Sequence, residues 1–444
     1  MDNKNVFVAI ALSMSVLLFW AAFFEQPRPV ENKVTKKQVD NSTENSITPN
    51  INEVLKIDSV SRSDSIKQSK RIKIENNSIT GSMNLKGGLI DDVSFKKHKK
   101  NLKQNENVDF LNPANTRDGF YVETGWTSIK SKIKVPTKNS EWKVKGNNIL
   151  GNNNPVTMQW DNGEGIIFTK KIELDDKYLF QVTQGVKNNT NDIIELYPYA
   201  QITRNKVPDD IQNFYISHEG FIGVFDEELK EDDYDDVEEK KIVREANEGW
   251  LGITDKYWMT AIVPKKGENF KSTFLYKNSF KANYILNNPT FIKPSSTGSN
   301  NVKIFVAAKE VDTIDSYAAN QNIDKFDLVI DWGWFYFFTK PLFFIIDYLF
   351  KYSGNFGIAI VIITIGIRLI FFPLANYSFR SMAKMKVLQP EMTRLKELHK
   401  EDKVKLQQEM MALYKKEKIN PLSGCLPILI QIPFFFAIYK MLFV

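Results

Sequence analysis

One charge stands where charge is expensive. Arg368 is the thirteenth of twenty-four residues in an otherwise uncharged apolar run over 356–379. A guanidinium at mid-bilayer depth costs about 2.5–3.5 kcal/mol on insertion scales, and roughly 10 kcal/mol or more in simulations of isolated helices. None of the chain's apolar runs contains an acid, so an ion pair within them is excluded. A water-filled cavity, a lipid phosphate or a separate partner is left to solvate the side chain. The competing reading has it snorkel past Pro373 to the cytoplasmic interface. Thr364 precedes it by one turn on the same helical face, and Gln431 lies between Pro427 and Pro433, which disturb helical hydrogen bonding in the last apolar run. Arg368, Thr364 and Gln431 could together line a polar recess.

Other chemistry has little support. His98, His218 and His399 are scattered, and Cys425 is the single cysteine, so neither a metal-ligand cluster nor an intrachain disulfide framework is expected. No phosphate-binding G-x-x-x-x-G-K-[ST] loop, nucleophile elbow or H-E-x-x-H occurs. The sequence therefore predicts no enzyme activity, no catalytic residues and no cofactor or metal, but a process driven by binding and partition. The acidic stretch 226–239 lacks the oxygen-ligand spacing of an EF-hand and reads as a solvated loop. His218, without an identifiable partner, reads as structural.

The elements that must position these residues follow from how the composition is segregated. Across 444 residues, 43% hydrophobic and 25% charged residues look soluble, and the length allows two or three domains. The mean hydropathy of −0.32 says the same. Yet the apolar residues are bunched. Residues 6–24 carry no charge and reach about 28 Å as a helix, close to the roughly 30 Å hydrocarbon thickness, with no clean cleavage site, so 1–25 reads as an uncleaved transmembrane anchor. The second span is expected over 355–379 and a third over 421–444, whose only charge, Lys440, can snorkel to the far interface.

Orientation follows from the loop between these two spans. Residues 380–420 carry eleven cations against six acids, which marks them as cytoplasmic. The anchor is then N-in, and everything from about 25 to 354 lies outside the cytoplasm. The overall excess of 59 basic over 53 acidic residues is mild. It suits an anionic lipid surface, and no direct nucleic-acid partner is expected.

Residues 26–70 are polar and read as a linker. From Arg71 the hydrophobic period becomes two: Ile72 and Ile74 alternate with charges, as do Ile129, Ile133 and Val135. Val156, Met158 and Trp160 lead into the turn Asp161-Asn162-Gly163, with Ile166, Phe168, Ile172 and Leu174 beyond it. Further runs at 250–263, 270–276 and 302–307 make an all-β sandwich over 71–330 the economical reading. Eleven of the twenty-one residues over 332–352 are aromatic, so 331–354 is expected to be an amphipathic helix in the outer interface, the alternative being a buried core helix of the β domain. In the basic loop Met382, Met385, Leu388, Met392, Leu395 and Leu398, then Leu406, Met410 and Leu413 beside Met411, repeat at helical spacing. They predict a helical hairpin over 380–420 that buries its seams. Its methionines Met382, Met385, Met392, Met410 and Met411 also offer an adaptable contact surface. The fold class is thus a membrane protein of α+β type: N-terminal anchor, large external all-β domain, helical transmembrane core and cytoplasmic hairpin.

Five stretches carry a resemblance. They are Gly354-Asn355-Phe356-Gly357, Thr364-Ile365-Gly366-Ile367-Arg368, Ser381-Met382-Ala383-Lys384-Met385 with Leu388-Gln389-Pro390, Gln408-Glu409-Met410-Met411-Ala412-Leu413-Tyr414-Lys415, and Asn420-Pro421-Leu422-Ser423-Gly424-Cys425-Leu426-Pro427 through Gln431-Ile432-Pro433. Over about 90 residues the chain resembles the YidC/Oxa/Albino membrane protein insertases in their Gram-negative form, and the remainder is similar more loosely. The resemblance implies a β-supersandwich in the periplasm of an inner-membrane protein. It also implies a groove open to cytoplasm and lipid, in which Arg368, with Thr364 and Gln431, attracts the polar segment of a client. The hairpin would receive clients or ribosomes, and nascent membrane proteins, the Sec translocon with its accessory proteins and anionic lipids are the implied partners. Members of the family continue with three more helices, so further spans are expected beyond Val444. Two other classes remain open on the residues alone: a transporter or channel whose β domain binds a solute, and a passive envelope scaffold.

Overall fold

The computed structural model describes residues 60–101, 105–129, 133–209, 211, 217–333, 335–400, 402–417 and 426–443. The anchor expected over 1–25, the linker up to residue 59 and the first residues of the third span lie outside them.

Alternation of apolar and polar residues makes strands here, and among the described residues twenty of them stack as two sheets of eleven and nine strands. Ile72 and Ile74 are fully buried, as are Phe95, Phe168, Phe180, Phe221, Trp250 and Phe305 between the sheets. The turn after Asp161 forms as its residues dictate. Strands Val156–Asp161 and Ile166–Leu174 pair antiparallel. The Asn162 side chain accepts from the backbone N–H groups of Glu164 and Ile166 at 2.8 and 3.0 Å, and Gly163 and Gly165 supply the positive φ values of 76° and 86°.

Three local expectations give way. Ile129, Ile133 and Val135 do not make a strand: the described part of 128–136 is irregular, Ile129 is exposed, and Ile133 and Val135 only cover the margin of the core. Pro136 and the alternating lysines leave no ladder for them to join. The linker does not run to residue 70, because Arg62–Lys67 form a helix, α1, capped by Ser61. Its Arg62 is clasped by Asp92 and by Asp109, the latter at 3.2 Å. Nor is the acidic stretch a solvated loop. Glu228–Asp232 pairs with Gly220–Phe225 at a sheet edge, and Tyr234–Glu239 form a second short helix, α2, that buries Tyr234 and Val237. His218 finds partners there: its Nε2 lies 2.8 Å from the Phe221 carbonyl and its Nδ1 3.4 Å from Asp233.

After the last strand, Val311–Asn320 form α3, and α4 follows over Tyr336–Ser353. Gly354, at φ 66°, ends α4 and turns the chain into α5, Phe356–Val387, where the Asn355 side chain accepts from the Ile358 N–H. Thirty-two residues make α5 about 48 Å long, more than the hydrocarbon thickness. It therefore runs past the expected end at 379. Arg380, Lys384 and Lys386 favour helix, and the break waits for Leu388-Gln389-Pro390. Helices α6, Gln389–Leu398, and α7, Lys403–Lys416, then fold back on each other, with the Tyr414 hydroxyl 3.8 Å from Met392 Sδ. The final helix, α8, spans Leu426–Phe443. Among the described residues, α5 is the helix long and apolar enough to cross a membrane, and 427–443 is a shorter apolar helix.

Candidate functional site

Three helices build the setting for Arg368, and each contributes an i,i+4 pair to one seam: Leu342 and Ile346 from α4, Ala359 and Ile363 from α5, Ala437 and Met441 from α8. Alanines at two of the three contacts let the backbones approach closely. The seam continues along α5 through Ile367, and Phe434 of α8 meets Phe338 of α4 at 4.5 Å and Phe371 of α5 at 4.9 Å between ring centroids.

Arg368 follows Ile367, about 100° around the helix from the seam, and its side chain is exposed. Among the described residues it has no hydrogen bond or ion pair. Thr364 sits half-buried at the seam's margin, where its hydroxyl donates to the Ile360 carbonyl at 2.7 Å. Its oxygen lone pairs remain available. Gln431 is half-buried on α8. No hydrogen bond joins these three side chains to one another. Beyond Arg368 the surface turns apolar, with Leu369, Ile370 and Phe372 all more than 60% exposed. A single cation thus stands between a packed seam and a greasy outer face.

The five methionines divide between elements. Met382 and Met385 lie half-buried on the basic extension of α5, not on a separate hairpin helix. Met392 on α6 and Met410 on α7 are also half-buried, whereas Met411 is exposed beside Val404, Gln408 and Lys415 in an open hollow.

Sequence reasoning missed how the β domain is fastened to the helices. Lys440 does not reach out to solvent: it donates to Asp331 at 2.7 Å, with the pair largely covered. Lys340 of α4 pairs with Asp315 at 3.2 Å and approaches Asp327 at 3.8 Å. The lone lysine of the last apolar run was the visible signal, but its partner is 109 residues away. These contacts put the β domain at one end of α5 and the α6–α7 pair at the other.

Comparisons with known proteins add the family. Residues 71–345 match the YidC periplasmic domain, and residues 348–444 match the 60Kd inner membrane protein family. A relative in Pelagibacter ubique (strain HTCC1062), named membrane protein insertase YidC, is 51% identical over 444 residues, covering 100% of this chain and 79% of that one. Its namesake in Brucella melitensis biotype 1 is 38% identical over 478 residues, covering 100% and 78%. Among solved structures, a galactose mutarotase related enzyme from Lactobacillus acidophilus aligns with 54% of this chain and 97% of its own at a TM-score of 0.39 and 13% identity. Two family matches that together take in the β domain and the helices, with relatives aligned along the whole chain, establish that it belongs to the YidC family of inner-membrane proteins.

Proposed function

We propose that this chain is an insertase and chaperone that moves the polar segment of a nascent membrane protein past the Arg368 flank of α5 while the client's apolar helix leaves sideways into lipid. The bare guanidinium supports this reading. An exposed arginine on a 48 Å apolar helix, excluded from the packed seam and without a carboxylate partner among the described residues, is stable only if water or an incoming anion reaches it. Water drawn to that depth lowers the desolvation cost of carrying an acidic tail across, and the positive charge attracts the tail. Thr364 and Gln431 would be the polar lining on either side.

The rest of the molecule takes its place around that step. The β domain lies in the periplasm of the inner membrane. The chain crosses more than once, with α5 running outside to inside and α8 back out, and the α6–α7 hairpin faces the cytoplasm. There its basic, methionine-bearing surface receives clients or the ribosome, and the Sec translocon with its accessory proteins acts as a partner. The transporter reading is not favoured, since relatives aligned along the whole chain are named insertases.

The test is insertion of a single-span client with either an acidic or a neutral translocated tail. Arg368→Ala is expected to lower insertion of the acidic client at least about tenfold, equivalent to about 1.4 kcal/mol, and to spare the neutral one. Arg368→Lys retains the charge and most of the activity. Equal insertion of both clients by the alanine variant would remove the electrostatic step.

A further inference from the structure

A second cationic feature sits at the opposite, β-domain end of the helices. A cavity of about 290 Å³ opens where strands Trp258–Val263 and Ser296–Ala308 meet the end of α8. His98, Lys256, Tyr257, Trp258, Lys309, Glu310, Asp331 and Phe443 are among its lining residues. The charges there are unevenly matched. Both lining carboxylates are engaged: Glu310 accepts from the Tyr178 hydroxyl at 3.0 Å and the Thr313 hydroxyl at 2.8 Å and lies 3.2 Å from His98 Nε2, and Asp331 is taken by Lys440. The two lining lysines are not matched. Lys309 donates only to the neutral Thr254 hydroxyl at 3.1 Å. Lys256 lies 4.9 Å above the Tyr257 ring and 3.8 Å above the Phe443 ring, and among the described residues neither ammonium has a carboxylate at ion-pair distance.

Once Asp331 is paired with Lys440, two lysines line the cavity against one remaining carboxylate, Glu310, and this excess of positive charge favours an anion. The walls narrow the choice. Tyr257, 49% exposed, with Trp258 and Phe443, makes an aromatic rim at the end of an 18-residue apolar helix, the level at which aromatic residues meet lipid headgroups. A soluble phosphate would use the lysines and leave the rim idle. A phospholipid would use both, its phosphate between Lys256 and Lys309 and its acyl chains along α8. Burial pushes the Lys309 ammonium down to about 8, so an anion beside it also relieves an unfavourable state.

We infer that the seam between the β domain and the end of α8 is a binding site for the phosphodiester of an anionic glycerophospholipid, held by Lys256 and Lys309. Such a lipid would brace the β domain against the membrane beside the Lys440–Asp331 pair. The site is independent of Arg368, so its failure would leave the insertion mechanism untouched.

The experiment is native mass spectrometry of the detergent-solubilised full chain, titrated separately with phosphatidylglycerol, phosphatidylcholine and inorganic phosphate. The expected result is retention of one phosphatidylglycerol in preference to phosphatidylcholine. Occupancy should fall about tenfold in Lys256→Gln/Lys309→Gln and recover in Lys256→Arg/Lys309→Arg. Because Lys309 also holds the Thr254 hydroxyl, the single change at Lys256, which has no such bond among the described residues, is measured as well and should lower occupancy at least about threefold. Unchanged phosphatidylglycerol occupancy in the folded Lys256→Gln protein would overturn the site. Saturation by inorganic phosphate with no lipid retained would overturn the lipid as its occupant.

Discussion

The β domain and the helical region treat charge in opposite ways. Inside the sandwich each buried cation has something to hold. Arg204 forks onto Asp255 at 2.5 and 3.1 Å and touches the Tyr234 hydroxyl, while Lys170, fully covered, lies 4.8 Å from the Trp142 ring and within reach of the Gly88 carbonyl. In the helical region the seam is entirely apolar, and Arg368, the charge within the apolar part of α5, has no hydrogen bond or ion pair among the described residues. The sandwich uses its charges for structure, whereas Arg368 contributes no contact that would explain it structurally. The proposed insertase reading gives this charge, left outside the packing, an incoming client segment to meet.

That contrast can be broken at several places. The largest effect is expected in the sandwich: Arg204→Leu leaves Asp255 uncompensated in a largely covered site and should cost about 3–5 kcal/mol of domain stability, read from denaturant unfolding. Next comes the seam. Ala437 is fully buried, and Ala437→Leu should force the helices apart at about 1–3 kcal/mol, seen as a lower melting temperature of the full chain in detergent. No change would mean that the helices are loosely associated and that Arg368 is not uniquely unpacked.

The junction is expected to matter less. Lys440→Gln should cost about 1 kcal/mol, and a double-mutant cycle with Asp331→Asn should show that the two changes are not additive. The smallest effect concerns His218. Burial alone would lower its pKa, but the hydrogen bond to Asp233 and the field of Glu231 outweigh this and raise it. A raised histidine stabilises the fold fully below its unfolded value and loses that contribution as pH rises through its folded one. His218→Gln should therefore remove a gain in stability on acidification through pH 6.5, worth less than about 1 kcal/mol.

How much of this could be read from sequence depended on whether the determining contacts were local. The turn after Asp161 was legible because Asn162, Gly163 and Gly165 carry their own conformational instruction. The register of Ile72 and Ile74 was legible because period two and burial coincide. Helix α1 was not: a six-residue polar segment has no periodicity to show, and Asp92 and Asp109, which hold it, come 30 and 47 residues later. Alternation misled at Ile133 and Val135, where pattern existed without a neighbouring strand. The expected span end at 379 gave no sign of where the helix stops, because a change from apolar to basic residues marks a change of solvent, not of backbone, and α5 runs on to Val387. At the candidate site, the sequence could single out Arg368 by its depth, and Thr364 by its spacing. It could not show that the packed seam passes just beside them, since that depends on Ala359 and Ala437 meeting from helices about eighty residues apart.

The central claim is that the Arg368 flank is wet while its immediate neighbours face either packing or lipid. Single cysteines at 363, 368 and 370, in a Cys425→Ser background, test it by labelling with a hydrophilic maleimide in native membranes. The account predicts rapid labelling for Arg368→Cys and little for the seam position Ile363→Cys or the outward apolar position Ile370→Cys. Protection of position 368 to the same degree as the other two would contradict it.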